Sequence, residues 1–413
     1  MATVLLLGAL DTKGAEYAFV RDRLLAAGVA VLIVDAGVLG EPAFEPDVSR
    51  NEVALAGGAD LDGLVDAGDR GAAMEVMTRG AAAVVESLHK DGRFDGAFAM
   101  GGTGGTSLAA AAFRGLPLGV PKIIVSTAAS GETSNYIGES DLILVPSVTD
   151  VAGVNRLSAQ IMSNAAGAIA GMVSAPALSD VADRPLVAAS MFGVTTPCVT
   201  RARELLEDRG YEVLVFHMTG AGGRTLEQLA GDGWLAGVLD ATTTELADEL
   251  VGGVFSAGSS RLTAAGSIGT PQVVSVGALD MVNFGPRDTV PAQFADRNLY
   301  VHNSSVTLMR TTPEECSELG RRLASRLSAA QGPTALFLPL RGVSAIATVD
   351  QPFWDPEADQ ALFDAIRHGV DREVVELIEL DLDINDPAFA TAMVDTLTGH
   401  ISANGVTATE RSE

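Results

Sequence analysis

The feature that most constrains the fold is an alternation of short apolar runs with segments of helical periodicity along nearly the whole chain. Residues 3–9 (TVLLLGA) form a continuous apolar run, a segment with helical spacing follows at 14–28, and a second run lies at 29–37. Such runs are typical of strands buried on both faces of a parallel sheet. Since strands that alternate with helices form right-handed βαβ units, the pattern predicts an α/β fold.

The alternation is interrupted at residues 174–185 (SAPALSDVADRP), where the periodicity is lost and Pro, Ser and Asp accumulate. It then resumes, and the run at 298–303 (NLYVHN) is expected to be one of the later strands. We therefore predict two doubly wound, Rossmann-like parallel-sheet domains, at 1–178 and 184–401, with a cleft between them. The polar residues 402–413 are predicted to form a frayed tail.

Charge and composition exclude several classes of protein. The formal net charge of −26 argues against sequence-independent binding to nucleic acid or to an anionic membrane, because both need a basic surface. The two cysteines, Cys198 and Cys316, cannot form a disulfide framework or a metal-ligand spacing. The N-terminal residues lack the basic region of a signal peptide, and no apolar run has the length of a membrane helix. We expect a cytoplasmic protein with a small-molecule ligand.

A glycine-rich segment at 101–106 (GGTGGT) lies between a predicted strand and a predicted helix. Glycines allow backbone N–H groups to approach an anion closely, and the N-terminus of a helix adds partial positive charge. The alternative is a purely structural tight turn in a chain with 45 glycines. The candidate phosphate-binding residues here are Gly101, Gly102, Thr103, Gly104, Gly105 and Thr106.

Other strand ends of the first domain carry small, hydroxyl-bearing or charged residues. In open α/β sheets, ligands bind at the carboxyl ends of the strands, where the strand order reverses, so these segments are predicted to share one rim. The segment 8–14 (GALDTKG) lies in the first βα turn, although Asp11 or Thr12 is equally suited to cap a helix. The further candidates for nucleotide contacts are Asp11, Thr12, Lys13, Asp35, Ser126, Thr127, Ser130, Gly131 and Asp150.

The predicted strand ends of the second domain carry more reactive side chains. A second glycine-rich segment, 219–224 (TGAGGR), follows His217, and further strands lead to ionisable residues. A histidine can carry protons near neutral pH, and an arginine can pair with a carboxylate or phosphate. The alternative for Glu245 is helix capping, because its segment has capping-box spacing. The candidate catalytic residues are His217, Arg224, Glu245, His302 and Arg310; no metal ligands are assigned.

Several familiar catalytic and nucleotide-binding motifs do not occur. The glycine-rich segments match neither the P-loop pattern nor the dinucleotide fingerprint G-x-G-x-x-G, which disfavours a dinucleotide cofactor. No G-x-S-x-G or H-E-x-x-H motif is present, so hydrolase triads and zinc chemistry have little support.

The motifs taken together resemble the tomato mosaic virus resistance protein-like (Tm-one-like) ATP-binding protein family. The matching segments run in order from residue 8 to about residue 366 and include GALDTKG, GGTGGT, STAASGET, VTDVAGVN, FHMTGAGGRTLEQL, LDATTTELADEL, SAGSSRL, GALDMVNF, HNSSVTLMR, LPLRGVSAI and PFWDPEAD. The resemblance implies two domains, ATP binding by the N-terminal one, and self-association as a dimer or a higher homo-oligomer. It implies no established reaction.

Two functional hypotheses follow. In the first, the N-terminal rim binds ATP, with Mg²⁺ held by Asp11 or Asp150, and the second domain acts on a phosphorylated or carboxylated metabolite across the cleft. Such a protein would be an ATP-dependent transferase or ligase-like enzyme. In the second, the protein is an ATP-dependent regulatory or binding protein without catalysis. Product formation in the presence of ATP separates the two hypotheses.

Overall fold

The computed structural model describes residues 1–176 and 184–405, and the chain divides into two compact units, Met1–Asp180 and Val181–Glu413. Each unit is built on a parallel β-sheet flanked by helices, which confirms the predicted α/β fold with two parallel-sheet domains. Of the predicted linker and tail, residues 177–183 and 406–413 lie outside the described residues.

The N-terminal unit contains a five-stranded sheet in the order β2-β1-β3-β4-β5, in which every neighbouring pair is parallel. Its strands are β1 (Thr3–Gly8), β2 (Ala30–Asp35), β3 (Gly96–Gly101), β4 (Lys122–Ser126) and β5 (Ile143–Pro146). Its helices are α1 (Leu10–Ala26), α2 (Arg50–Ala56), α3 (Leu61–Ala67), α4 (Arg70–Lys90), α5 (Thr103–Arg114), α6 (Ser134–Ile137) and α7 (Arg156–Ser174).

The sheet of this unit is buried on both faces, as its continuous apolar strands require. Along β1, Leu5 and Leu7 pack in one apolar cluster with residues of α4 and α5, whereas Val4 and Leu6 pack in another with α1 and α7. The helices that follow β1 and β3 therefore lie on opposite faces of the sheet. This arrangement makes the carboxyl ends of β1 and β3 the point where the strand order reverses.

Tyr17 fills the gap where β1 and β3 separate. Its buried hydroxyl donates a hydrogen bond to the Leu7 carbonyl at 2.6 Å and accepts one from the Met100 amide at 2.9 Å. A Cβ at Gly8 would lie 2.1 Å from the Tyr17 phenol, so this close approach requires glycine. The phenol thereby links β1 to β3 at Leu7 and Met100.

The C-terminal unit contains a six-stranded parallel sheet in the order β14-β13-β9-β8-β6-β7. Its strands are β6 (Leu186–Met191), β7 (Glu212–His217), β8 (Gly237–Thr242), β9 (Gln272–Gly277), β13 (Thr334–Pro339) and β14 (Val375–Leu380). Its helices are α8 (Thr196–Asp208), α9 (Ala221–Gly231), α10 (Glu245–Val251), α11 (Ala264–Ile268), α12 (Pro313–Leu327), α13 (Pro356–Gly369) and α14 (Pro387–Ala403). This strand order also reverses once, between β6 and β8.

A separate antiparallel sheet of β10 (Met281–Phe284), β12 (Val306–Arg310) and β11 (Leu299–Asn303) is inserted after β9. The prediction that 298–303 continues the parallel alternation is therefore wrong. Asn303 pairs with Val306 across a two-residue loop, and a loop this short can join only antiparallel strands. His302 consequently lies on β11, away from the parallel strands.

Both faces of the larger sheet are also covered by apolar side chains. Leu336 and Leu338 of β13 pack in one cluster with α12 and α13, whereas Ala335 and Phe337 pack in a second cluster with α8 and α14. Cys198 and Cys316 are buried free thiols. Within residues 1–176 and 184–405, no helix combines the length and the apolar character that a membrane span requires.

Candidate functional site

A cavity of about 750 Å³ opens at the carboxyl ends of β1 and β3 in the N-terminal unit. Its wall is formed by the turns that follow β1, β2 and β3 and by the segment that joins α3 to α4. Pockets of this volume at the strand-order reversal of an α/β sheet are typical small-molecule sites.

Two helices begin at this cavity, and in neither does the N-cap residue bond the first turn with its own side chain. Helix α1 starts after Ala9 and helix α5 after Gly102, and neither residue offers a capping oxygen. The other helices of seven or more residues in 1–176 are capped by the side chains of Ser49, Asp60, Asp69 and Asn155. The first amide of α1, that of Leu10, is already bonded by the Asp35 carboxylate, whereas the N-cap of α5 is a glycine, so the first turn of α5 is the one that favours a bound anion.

The glycine-rich segment forms one side of the cavity floor. A Cβ placed on Gly104 would lie 3.7 Å from Cε of Met74, which is ordinary van der Waals contact across the cavity. Met74 lies one turn after Arg70 on α4, so both side chains belong to the helix face that lines the cavity. The N-terminus of α5 therefore faces the apolar side chain of Met74 and the cationic side chain of Arg70 across the cavity.

Lys13 and Asp11, in the first turn of α1, carry the charges nearest to β1. The Lys13 ammonium donates to the Val151 carbonyl and also lines the cavity. Oδ2 of Asp11 accepts hydrogen bonds from the amides of Leu39 at 2.7 Å and Gly40 at 3.2 Å. Its buried Oδ1 has no hydrogen-bond partner, so one acceptor in the cavity wall is unused.

More than half of the residues predicted to bind the cofactor line this cavity. They are Asp11, Thr12, Lys13, Gly101, Gly102, Thr103, Gly104, Gly105 and Asp150. These residues lie together because the carboxyl ends of parallel strands share one edge of the sheet, as predicted from the sequence.

The remaining candidates, Asp35, Thr106, Ser126, Thr127, Ser130 and Gly131, do not line the cavity. Asp35 is fully buried, and its Oδ1 accepts from the amides of Leu10 and Gly37, both at 2.9 Å. The hydroxyls of Thr106 and Ser126 bond each other at 2.6 Å and so connect α5 to β4. Asp35, Thr106 and Ser126 are therefore bonded inside the fold, whereas Thr127, Ser130 and Gly131 are exposed outside the cavity.

Sequence reasoning missed the contribution of the α3–α4 segment. Arg70 lines the cavity as an exposed cation, and an apolar wall is formed by Val38, Leu64, Val65, Met74 and Leu108. Helical periodicity places Arg70, Ala73 and Met74 on one face of α4. The periodicity does not indicate which edge of the sheet that face covers, so no local signal could have identified these residues.

The second glycine-rich segment is occupied by a side chain of the protein itself. Glu245 is fully buried, and its Oε1 accepts from the amides of Gly220 at 2.7 Å and Gly223 at 3.1 Å. A Cβ on Gly223 would lie 1.9 Å from Oε2 of Glu245. The start of α9 therefore binds the Glu245 carboxylate at the position where a bound anion was expected.

Arg261 compensates the charge of this carboxylate in a buried cluster. Its Nε donates to Oε2 of Glu245 at 2.7 Å, and its two terminal nitrogens donate to both oxygens of Asp240, at 2.5 and 2.7 Å. Arg261 and Glu245 are both 0% exposed. Burial raises the pKa of Glu245, and the charge of Arg261 opposes this rise.

The other four predicted catalytic residues have different surroundings. His217 is exposed beside Phe192, and His302 is exposed on β11. Arg224 is exposed and donates to the Ser256 carbonyl at 3.2 Å. The exception is Arg310, which is buried, and its guanidinium donates to Asp359 at 2.6 Å. None of the five candidate catalytic residues lines the cavity described above.

Asp248, next to this cluster, is a buried carboxyl group with an unusual pKa. Its oxygens accept from the backbone amide of Asn283 at 2.6 Å and from its side-chain amide at 2.8 Å. Burial outweighs these hydrogen bonds and raises the pKa of Asp248 to about 7. The native state therefore keeps this proton at pH values where the unfolded chain has released it.

We expect Asp248→Asn to reduce the pH dependence of stability. Because the native pKa is raised, the stabilisation by the bound proton is complete below about pH 4 and is lost as the pH rises to 7. Between pH 5 and pH 8 this loss amounts to about 2–3 kcal/mol, which the variant should lack. Urea unfolding at both pH values measures it. Asp208→Asn, at an exposed position, is the control; equal pH dependence in all three proteins would contradict the expectation.

Comparison with known proteins gives consistent matches along the chain. Residues 2–177 match the N-terminal domain, and residues 184–401 the C-terminal domain, of the Uncharacterised protein family (UPF0261). A UPF0261 protein of Clostridium tetani is 50% identical over 394 residues, covering 95% of this chain and 98% of that protein. A UPF0261 protein of Rhizobium meliloti is 45% identical over 395 residues, with the same coverage.

The resemblance drawn from the sequence motifs is confirmed by a plant relative. The ToMV resistance protein Tm-1(GCR237) of Solanum lycopersicum is 44% identical over 333 residues. The match covers 79% of this chain and 44% of the plant protein, so the two are similar over less than half of the plant protein's length.

Proposed function

This chain belongs to the uncharacterised protein family UPF0261, and we propose that it is a nucleotide-binding protein that holds ATP in the cavity of its N-terminal unit. The observation that carries the proposal is the uncapped N-terminus of α5, which opens on this cavity beside the start of α1. Such a terminus supplies backbone donors and partial positive charge for a polyphosphate.

The charged and glycine residues of the cavity support the placement of the phosphates. Gly104 leaves the start of α5 accessible, because a side chain there would extend into the cavity. Lys13 and Arg70 add positive charge from α1 and α4. The ammonium of Lys13 has three donors, so it can keep its bond to Val151 and still contact a phosphate.

The apolar wall supports the placement of the base. Leu64 and Val65 of α3, with Met74 of α4, offer aliphatic and thioether surface beside the polar floor. Such a combination of an apolar wall and a few convergent polar groups suits a nucleotide, which has an apolar ring face and a charged tail.

The residues of the cavity also fit Mg²⁺ in company with the phosphates. Oδ1 of Asp11 is buried without a partner, and Asp150 lines the same cavity. No three His, Cys, Asp or Glu side chains in the described parts of the chain are arranged to hold a metal by themselves. Mg²⁺ is commonly bound by one or two carboxylates together with substrate phosphates and waters, and it would neutralise phosphate charge there.

The engagement of Glu245 and Arg310 inside the second unit favours ATP-dependent binding or regulation over catalysis by these two candidate residues. Glu245 and Arg310 have their charged atoms engaged by buried partners of the chain itself. Each would have to leave those partners before it could act on a substrate. ATP would then stabilise one conformation of the protein rather than supply a reacting group.

Isothermal titration calorimetry with ATP and Mg²⁺ tests the proposal directly. We expect Lys13→Ala to weaken binding about tenfold, because one charge-assisted hydrogen bond to phosphate is lost. Lys90→Ala, which removes the same charge from the exposed end of α4, should bind as the wild type does. Failure of the wild-type protein to bind ATP would refute the proposal, and accumulation of ADP or AMP would refute the non-catalytic interpretation.

A further inference from the structure

Glu16 is a buried carboxylate on α1 that the proposed nucleotide contacts do not use. It is 3% exposed and does not line the cavity. Burying a carboxylate is costly unless hydrogen bonds compensate, and its Oε1 accepts from the amide of Gly153 at 2.6 Å. That amide belongs to the loop between β5 and α7, residues 147–155.

Helix α1 holds this loop at two points of its backbone. The Lys13 ammonium donates to the Val151 carbonyl, and the Glu16 carboxylate accepts from the Gly153 amide. Lys13 lies at a kink of α1, with a φ of −125° and a ψ of 17°, and both its side chain and that of Glu16 reach the same loop. Of the two bonded loop positions, Val151 directly follows Asp150 and Gly153 lies three residues after it, and the Asp150 side chain lines the cavity.

The loop conformation is not one that its sequence prefers. Val148 has a φ of 66°, in the left-handed region that a β-branched residue rarely adopts. A strained conformation persists only where surrounding contacts over-determine it. The Ser147 hydroxyl donates to the Thr149 carbonyl at 2.6 Å across Val148, and the contacts from Lys13 and Glu16 hold the residues that follow Asp150.

We propose that Glu16 is a positioning residue that holds Asp150 toward the phosphate end of the cavity and thereby selects a Mg²⁺–nucleotide complex over a free nucleotide. This inference rests on the nucleotide site proposed above. The carboxylates of Asp150 and Asp11 repel the phosphates of a metal-free nucleotide, whereas a bound Mg²⁺ reverses the sign of that interaction. If Asp150 moves away from the cavity, the preference for the Mg²⁺–nucleotide complex over the free nucleotide should decrease.

The test compares dissociation constants for ATP with Mg²⁺ and with EDTA in four proteins. We expect the wild type to bind ATP at least about tenfold more tightly with Mg²⁺. Asp150→Asn and Glu16→Met should each reduce this ratio about fivefold, because one lacks the carboxylate and the other lacks the acceptor for Gly153. Glu16→Gln keeps an acceptor oxygen and should retain the wild-type ratio. Met and Gln fill a similar volume, so this pair differs mainly in the hydrogen bond.

The possible outcomes separate this inference from the proposed function. Absence of ATP binding by the wild type under both conditions refutes the nucleotide site itself. If ATP binds and Glu16→Met keeps the wild-type ratio, or weakens binding equally with Mg²⁺ and with EDTA, Glu16 is only structural and the inference is wrong. If Glu16→Met does not fold, the exposed Asp150→Asn decides, since an unchanged ratio there also overturns the inference.

Discussion

Gly104→Val is expected to weaken ATP binding at least about 100-fold while the N-terminal unit keeps its fold. The built Cβ lies 3.7 Å from Met74 Cε, so the backbone accepts a side chain without a clash. The branched methyl groups would then occupy the space above the first turn of α5, where phosphate oxygens reach the backbone amides. Loss of two charge-assisted hydrogen bonds, at about 1.5–3 kcal/mol each, accounts for a factor of this size.

Gly167→Val is the matched control for this variant. Gly167 lies inside α7 and has no neighbouring atom within 4 Å of a built Cβ, so the same change of residue meets open space. Calorimetric titration with ATP and thermal unfolding of both variants separate lost binding from lost fold. Wild-type affinity in Gly104→Val would mean that the phosphates do not lie over α5.

Arg261→Leu should destabilise the C-terminal unit by about 3–5 kcal/mol, the range measured when one partner of a buried ion pair is removed. Both oxygens of Asp240 and one oxygen of Glu245 would lose their cationic donor while remaining buried. Burial raises the pKa of Glu245, and the charge of Arg261 opposes this rise. Without Arg261 the Glu245 carboxylate would be driven to bind a proton, so the loss of stability should be larger at pH 8 than at pH 5.

Two variants make the measurement specific to this cluster. Arg321→Leu removes an exposed guanidinium that pairs with Glu318 and should cost less than about 1 kcal/mol. Arg261→Lys keeps the charge but cannot bond both oxygens of Asp240 in parallel, so its stability should be intermediate. Denaturant unfolding followed by circular dichroism gives the three values. Equal stability of Arg261→Leu and the wild type would show that the cluster does not support the fold.

Much of the candidate site followed from local patterns in the chain. The apolar runs of β1 and β3 and the glycines after β3 placed Asp11, Lys13 and Gly104 at one edge, because parallel strands end together. The cationic and apolar wall supplied by α4 did not follow, because the long segment between β2 and β3 carries no signal for the edge that it covers. Asp35 was expected to contact the nucleotide, and its position at a strand end could not reveal that it is buried and bonded by the amides of Leu10 and Gly37.

The two glycine-rich segments, 101–106 and 219–224, show which features the sequence determined and which the tertiary structure decided. The sequence alone determined that each lies at the start of a helix with accessible backbone amides, since the glycines and the flanking periodicity are local features. It did not determine what those amides bind. The tertiary structure placed Glu245 in the second segment and left the first open to a cavity. The physical reason is that an anion site is satisfied by whichever negative charge the fold brings within hydrogen-bonding distance, and that charge can come from a residue distant in the sequence.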